Sequence, residues 1–297
     1  MSSVDMGLFS PPPLRGKRVL VTGAARGIGA ALAERLHLRG AHVALMGLEA
    51  DALAASAAKR GNAPWSESDV SDRGQVEASV ASMVRELGGL DVVVANAGVA
   101  AQLPLLGGNP EVFERSLAVN VLGVYYTFRA AGPQVEHQGG YALAVSSLAA
   151  ALHPPLLGAY CASKAAVEAM GNSLRIELAS SGARVGVAYF AELDTDMTRR
   201  GFGTAAAAKI AKAGPFTSVA PLALGIDALE RGIARRSRRI VAPWWVGALL
   251  PFRMPAQRAV ERVMGGPRVV EALRVARDED APLTTDQPVR SQVRASR

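Results

Sequence analysis

Between residues 17 and 243 the chain alternates without a break. Short β-branched runs, such as "KRVLVTG" at 17–23 and "LDVVVANAG" at 90–98, take turns with longer helix-forming stretches. A strand followed by a helix followed by a strand in one sheet makes a parallel pair, so repeated alternation predicts helices on both faces of a mostly parallel sheet. Runs apolar on both faces, rather than alternately, are what a buried parallel strand requires. Further strands are predicted at 41–47, toward Asp69, and at 141–147, 184–190 and 238–243. Helices are predicted at 29–39, 49–61, 74–89, 111–131, 157–180 and 220–236. The fold class is therefore α/β, a doubly wound and mostly parallel sheet.

After residue 243 the texture changes. "WWVGALLPFRMPAQRAVERVMGGPRVVEALRVAR" reads as short helices split by "GGP", a helical C-terminal extension at 244–277. Residues 1–15, polar and then "PPP", read as a disordered N-terminus with no apolar run of the kind a signal peptide carries. Residues 278–297 read as a disordered tail. This leaves 16–243 as the main domain.

Two local patterns carry chemistry. In "VTGAARGIGA" Gly23, Gly27 and Gly29 stand between the first strand and the first helix. Glycines there let backbone N–H groups and a helix N-terminus approach a pyrophosphate. A tight strand–helix turn is the structural alternative. In "SSLAAALHPPLLGAYCASK" Tyr160 and Lys164 are four residues apart on one helix face, with Ser147 upstream. A unit charge about 4 Å away is worth up to about 4 kcal/mol at an effective dielectric of 20. Such a charge is expected to pull a phenol from near 10 down by up to about 3 units, toward neutral pH.

These patterns, with "DV" at 69–70, "ANAG" at 95–98 and "NVLG" at 120–123, resemble the short-chain dehydrogenase/reductase family in order and spacing, over roughly residues 16–243. The resemblance implies a Rossmann-like fold and an NAD(P)-dependent alcohol/ketone oxidoreductase. It implies that Tyr160 is the general acid or base, and that Lys164 lowers its pKa and binds the nicotinamide ribose. Ser147 would bond the substrate oxygen, and Asn120 would hold a water in a proton relay. It assigns the cofactor to Thr22, Gly23, Arg26, Gly27, Ile28, Gly29, Leu48, Asp69, Val70, Asn96, Ala97, Gly98, Tyr160, Lys164 and Thr195. Among these, Asp69 would lie near the adenine and Thr195 at the nicotinamide carboxamide.

Two positions depart from the family pattern. The acid that selects NAD at the end of the second strand is replaced by Gly47, followed by Leu48. The arginine that commonly follows in NADP-dependent members is absent too; Arg26 suits a 2′-phosphate but also occurs in NAD-dependent members, so the expectation leans only slightly to NADP, while Glu49 either reaches a ribose or starts the next helix. The family's Pro-Gly after the sixth strand is Phe190-Ala191 here, which alters the pocket floor without removing a catalytic group.

Composition narrows the partners. The net charge is +7, but the excess is local: residues 227–297 hold 14 Arg and Lys against 8 Asp and Glu. A nucleic-acid partner is not expected. Residues 231–274 carry ten arginines interleaved with Trp244, Trp245, Leu249, Leu250 and Phe252. That stretch suits a weak contact with an anionic membrane surface, a cover for the substrate pocket, a subunit interface, or simply a packed cap. The single cysteine, Cys161, excludes an intrachain disulfide and points to the cytoplasm. Four scattered histidines without ligand spacing point to no metal. The alanine-rich segment 197–215 reads as a substrate lid over an apolar pocket, for a steroid-, terpenoid- or lipid-like molecule. The resemblance also implies a homodimer or homotetramer.

Overall fold

The computed structural model describes residues 14–201, 204–206, 219–278 and 283–287. The strands are β1 (Arg18–Thr22), β2 (His42–Gly47), β3 (Trp65–Glu67), β4 (Val92–Ala95), β5 (Tyr141–Val145), β6 (Arg184–Phe190) and β7 (Arg239–Ala242). They form one sheet in the order β3-β2-β1-β4-β5-β6-β7. Every pairing is parallel.

Alternate strand residues face opposite cores, as the pleat dictates. Val19, Val21, Val92, Val94 and Leu143 meet α1 (Gly27–Leu38), α2 (Ala50–Ala58) and α8 (Leu222–Arg235) through Leu32, Leu36, Leu53, Leu229 and Ile233. Leu20, Val93, Ala142, Ala144 and Val187 meet α3 (Arg73–Leu87), α5 (Gly123–Val135) and α6 (Gly158–Glu177) through Val80, Met83, Phe128 and Val167. Both faces are covered, so the strands are apolar on both sides.

The helix predicted over 111–131 is longer and broken. α4 (Pro110–Leu117) starts at an Asn109 cap whose Oδ1 accepts the Glu111 N–H at 2.9 Å. A π turn over Ala118–Leu122 follows, and then α5. Apolar spacing does not distinguish a π turn from an α turn, and the residue the turn sets aside is Asn120.

After α7 (Asp196–Gly201) the expected lid is described only at 204–206; residues 202–203 and 207–215 lie outside the described residues. The C-terminal extension holds α9 (Trp244–Leu249), α10 (Arg253–Met264) and α11 (Pro267–Asp278). Two ends of the main domain need correction. Leu14, expected in the disordered N-terminus, is buried in the core. Residues 283–287, expected in the disordered tail, pack against the body through Leu283 and a fully enclosed Thr284. Residues 279–282 and 288–297 lie outside the described residues. No helix among the described residues is long and apolar enough to cross a membrane.

Candidate active site

In this strand order the chain leaves β1 in one direction toward β2 and β3, and in the other toward β4. Crevices form at the C-terminal ends of strands where the order reverses. A cavity of about 370 Å³ lies there. It runs from the turn after β1, past the ends of β4 and β5, to α10.

The glycine turn is built for close approach. Gly23 and Gly27 adopt left-handed backbone angles, at φ +65 and +57. Gly29 cannot carry a side chain, because a Cβ would sit 2.1 Å from the Gly23 carbonyl oxygen and 2.7 Å from Asn96 Nδ2. Asn96 in turn donates through Nδ2 to the Thr22 carbonyl at 2.9 Å, and Thr22 Oγ1 accepts the N–H groups of Asn96 and Ala97 at 3.0 and 3.1 Å. The ends of β1 and β4 are thus fastened together beside the cavity. α1 begins with no side-chain cap and no acid in its first turn, which leaves its positive end free for an anion.

The far flank of the glycine turn holds charge pairs that the sequence reading did not foresee. Arg26 Nε lies 3.0 Å from Glu49 Oε1. Arg115, on α4, donates to Asp69 Oδ2 at 2.7 Å and to Ser71 Oγ at 2.6 Å. Burial raises the Asp69 carboxyl, but the bonds from Arg115 and Ser71 outweigh it and hold Asp69 below the usual carboxylate range. Nothing near Arg115 in sequence signals this pairing, which spans 46 positions. Ser68, between β3 and Asp69, is 1% exposed and lines the cavity, and its hydroxyl has no hydrogen-bond partner. A buried hydroxyl without a partner asks for a polar group nearby, and a polar ligand group in the cavity is one that would serve.

At the other end the predicted quartet comes together. Ser147 caps a short turn after β5, its Oγ accepting the Ala149 N–H at 3.1 Å. Tyr160 and Lys164 project from the first turns of α6. Lys164 Nζ donates to the Val145 carbonyl at 3.0 Å and lies 5.5 Å from the Tyr160 ring centre. Asn120 is enclosed: its Oδ1 accepts the Val99 N–H at 2.8 Å, and its Nδ2 donates to the Val99 carbonyl and Ser163 Oγ, both at 2.9 Å. A Cβ on Gly98 would meet Asn120 Oδ1 at 3.2 Å and Lys164 Nζ at 3.4 Å, so these three residues converge on one spot.

The electrostatics correct one expectation. Tyr160 is not drawn toward neutral pH. Burial pushes its phenol up to about 12, with a hydrogen bond to Ser147 opposing. Burial likewise lowers Lys164 to about 8. Burial dominates at both groups, with Lys164 Nζ lying over the Tyr160 ring. Cys161 is buried, its thiol pushed up to about 12 by burial, which suits packing and not nucleophilic chemistry.

Thr195 is buried after β6, where its Oγ1 accepts the Thr198 N–H at 3.4 Å. Beyond the quartet the wall is mostly apolar, with Leu152, Leu157, Phe190, Leu193, and then Val260 and Met264 of α10, but Glu192, Asp196 and Thr198 also line it. Of the predicted cofactor positions, Thr22 and Gly29 stand behind the wall, and the others line the cavity.

A family profile described as short chain dehydrogenase matches residues 17–206. The chain belongs to this family. Among curated relatives, glycine betaine reductase ATRR of Emericella nidulans is 38% identical over 190 residues, which is 62% of this chain but only 15% of that protein. Sorbitol dehydrogenase of Cereibacter sphaeroides is 34% identical over 175 residues, 58% of this chain and 68% of that one. A solved short-chain dehydrogenase from Burkholderia cenocepacia in complex with NADP aligns with TM-score 0.69 and 29% identity, over 77% of this chain and 97% of its own. A member from Burkholderia phymatum in complex with NAD aligns with TM-score 0.72 over 84% of this chain and 96% of its own, at 24% identity, a likeness of fold.

Proposed function

We propose that the chain is an NAD(P)-dependent oxidoreductase interconverting a secondary alcohol and a ketone on an apolar, steroid-, terpenoid- or lipid-like substrate. The observation that carries this reading is the convergence of Tyr160, Ser147 and Lys164 on one wall of a cavity whose opposite end is an uncapped glycine turn. A dinucleotide fits the residues present. The glycine cradle, the free helix end and the orphan Ser68 hydroxyl each want what it offers.

Gly23, Gly27, Ile28 and Gly29 would hold the pyrophosphate. Arg26 and Leu48 would face the adenosine ribose, and Asp69 and Val70 the adenine. Asn96, Ala97, Gly98 and Thr195 would flank the nicotinamide end, with Lys164 on its ribose. When bound, the nicotinamide supplies or accepts the hydride. Tyr160, protonated at neutral pH because burial holds its pKa near 12, gives its proton to the ketone oxygen and takes one from the alcohol in reverse. Ser147 donates to the same substrate oxygen. Lys164, with a pKa near 8, is mostly charged at pH 7 and favours the phenolate as it forms. Asn120, locked at both ends of its amide, fixes the spot beside Lys164 where a relay water would sit.

The cofactor lean is to NADP, on the missing acid at Gly47 and on Arg26. The Arg26–Glu49 pair tempers it: a 2′-phosphate must displace a carboxylate from Arg26, whereas Glu49 suits a 2′-hydroxyl. The walls formed by Leu152, Leu157, Leu193, Val260 and Met264 support the apolar substrate. Exposed Tyr125 and Ile176, on α5 and α6, support a homo-oligomer. Exposed Trp244, Phe252 and Met254 beside the arginines of α10 support a weak peripheral membrane contact of a cytoplasmic enzyme.

Titration of the purified protein with NADPH and NADH, followed by nicotinamide fluorescence, tests the reading. Saturable binding of either nucleotide is expected, and binding of neither overturns it.

A further inference from the structure

Residues 283–287, "LTTDQ", come from the far end of the chain, yet they lie on the wall of the cleft. Thr284 fastens the segment. Its N–H donates to the Ala100 carbonyl at 3.0 Å, and its Oγ1 accepts the Ala100 N–H at 3.0 Å. Leu283 fills a small apolar cluster with Ala101, Leu103 and Ala159. From this anchor the segment reaches both charge pairs that flank the predicted adenosine half. Arg26, paired to Glu49, donates to Thr285 Oγ1. Arg115, paired to Asp69, donates twice to Gln287 Oε1, at 2.9 and 2.8 Å. The Gln287 amide closes on the Thr285 carbonyl at 2.9 Å, which keeps the segment compact.

The segment is a wall and not a plug. A cavity of about 370 Å³ persists with it in place, still lined by Gly27, Leu48 and Asp69 as well as by Thr284, Thr285 and Gln287. None of its hydrogen bonds goes to the N-terminal N–H groups of α1, so the pyrophosphate position stays open. Ser68, whose buried hydroxyl has no hydrogen-bond partner, lines the same end of the cavity with the segment docked.

We propose that residues 283–287 form a strap that closes over the adenosine half of the bound dinucleotide and slows its release. The proposal rests on the dinucleotide reading above. The strap links the two flanking pairs, so the nucleotide leaves only when Thr285 and Gln287 let go of Arg26 and Arg115.

The test compares full-length protein with a chain ending at residue 282, and with the paired substitutions Thr285→Val and Gln287→Ala in the full chain. The double variant keeps Thr284 and Leu283, so it preserves the anchor if truncation disturbs folding. Dissociation of NADPH or NADH, whichever binds, is followed by stopped-flow fluorescence, and ADP-ribose affinity by calorimetry. Loss of a few hydrogen bonds predicts about tenfold faster dissociation in both altered chains. ADP-ribose, which lacks the nicotinamide, should weaken by a similar factor. Unchanged dissociation and ADP-ribose affinity in both altered chains overturns the strap while leaving the dinucleotide reading intact. Tighter binding after truncation also overturns it, and marks the segment as a competitor. Failure of the full-length protein to bind any of these nucleotides overturns both readings.

Discussion

The glycine turn and the C-terminal strap face each other across one cleft, yet they are specified in opposite ways. The turn is written within eight consecutive residues, Thr22 to Gly29, where backbone angles and a missing Cβ decide its shape. The strap is written nowhere in particular. Its partners lie 172, 184 and 259 positions away, and each bond is made by an ordinary Thr or Gln. A site residue is legible in sequence when covalent geometry forces the residue type. It is illegible when only the folded body supplies the partner. The first kind resists substitution, and the second tolerates it at small cost.

Substitutions on the two sides sharpen this contrast. Tyr160→Phe keeps the ring and removes the proton, and should lower kcat by about three orders of magnitude, with nucleotide binding unchanged in a titration. The pH profile of the native protein checks the same group. A base must be deprotonated, and burial holds the Tyr160 phenol near 12. Alcohol oxidation should therefore climb up to about tenfold per pH unit just above 7 and less steeply past about 8, where Lys164 loses its charge, while ketone reduction, which needs the phenol protonated, shows no such climb. A plateau in oxidation near pH 7 would mean that the bound cofactor and Lys164 reset the phenol.

Gly29→Ala comes next in size. The added methyl would lie 2.1 Å from a backbone oxygen, so the turn must open. A loss of about 1–3 kcal/mol in stability is expected, with severe loss of nucleotide binding, by thermal unfolding and fluorescence titration. The smallest effect belongs to the C-terminal side. Met264→Gln on α10 should raise KM for an apolar ketone about fivefold, a cost near 1 kcal/mol for a polar atom against an apolar surface. It should leave nucleotide affinity alone. A Met264 variant that loses nucleotide binding would break the contrast, because it would make the cap part of the turn.

Much of the body was readable. Strand runs, the two-sided helical cover, the Gly23–Gly29 turn and the Tyr160–Lys164 spacing follow from local periodicity and sterics, and the strands and helices fall close to the expected positions. What escaped the sequence has a common cause. Arg115 reads as one more helix cation until folding sets it against Asp69. Residues 283–287 read as polar tail, and only the prolines on either side in sequence, Pro282 and Pro288, set them apart. The phenol's upward shift was missed because spacing reveals which charge is near but not how much water is gone.

The π turn at Ala118–Leu122 has a consequence of phase. One extra residue in a helical repeat rotates everything after it by about 100° relative to everything before. α4 can thus turn Arg115 toward the cleft while α5, continuing the same rod, lays Val124, Phe128 and Ala131 into the core. Deleting one residue there would leave composition and hydropathy almost untouched, yet it would force one half of the rod to face the wrong neighbour. The alignment of catalysis with folding is thus held by a count of residues, and length variation here is more dangerous than most changes of side chain.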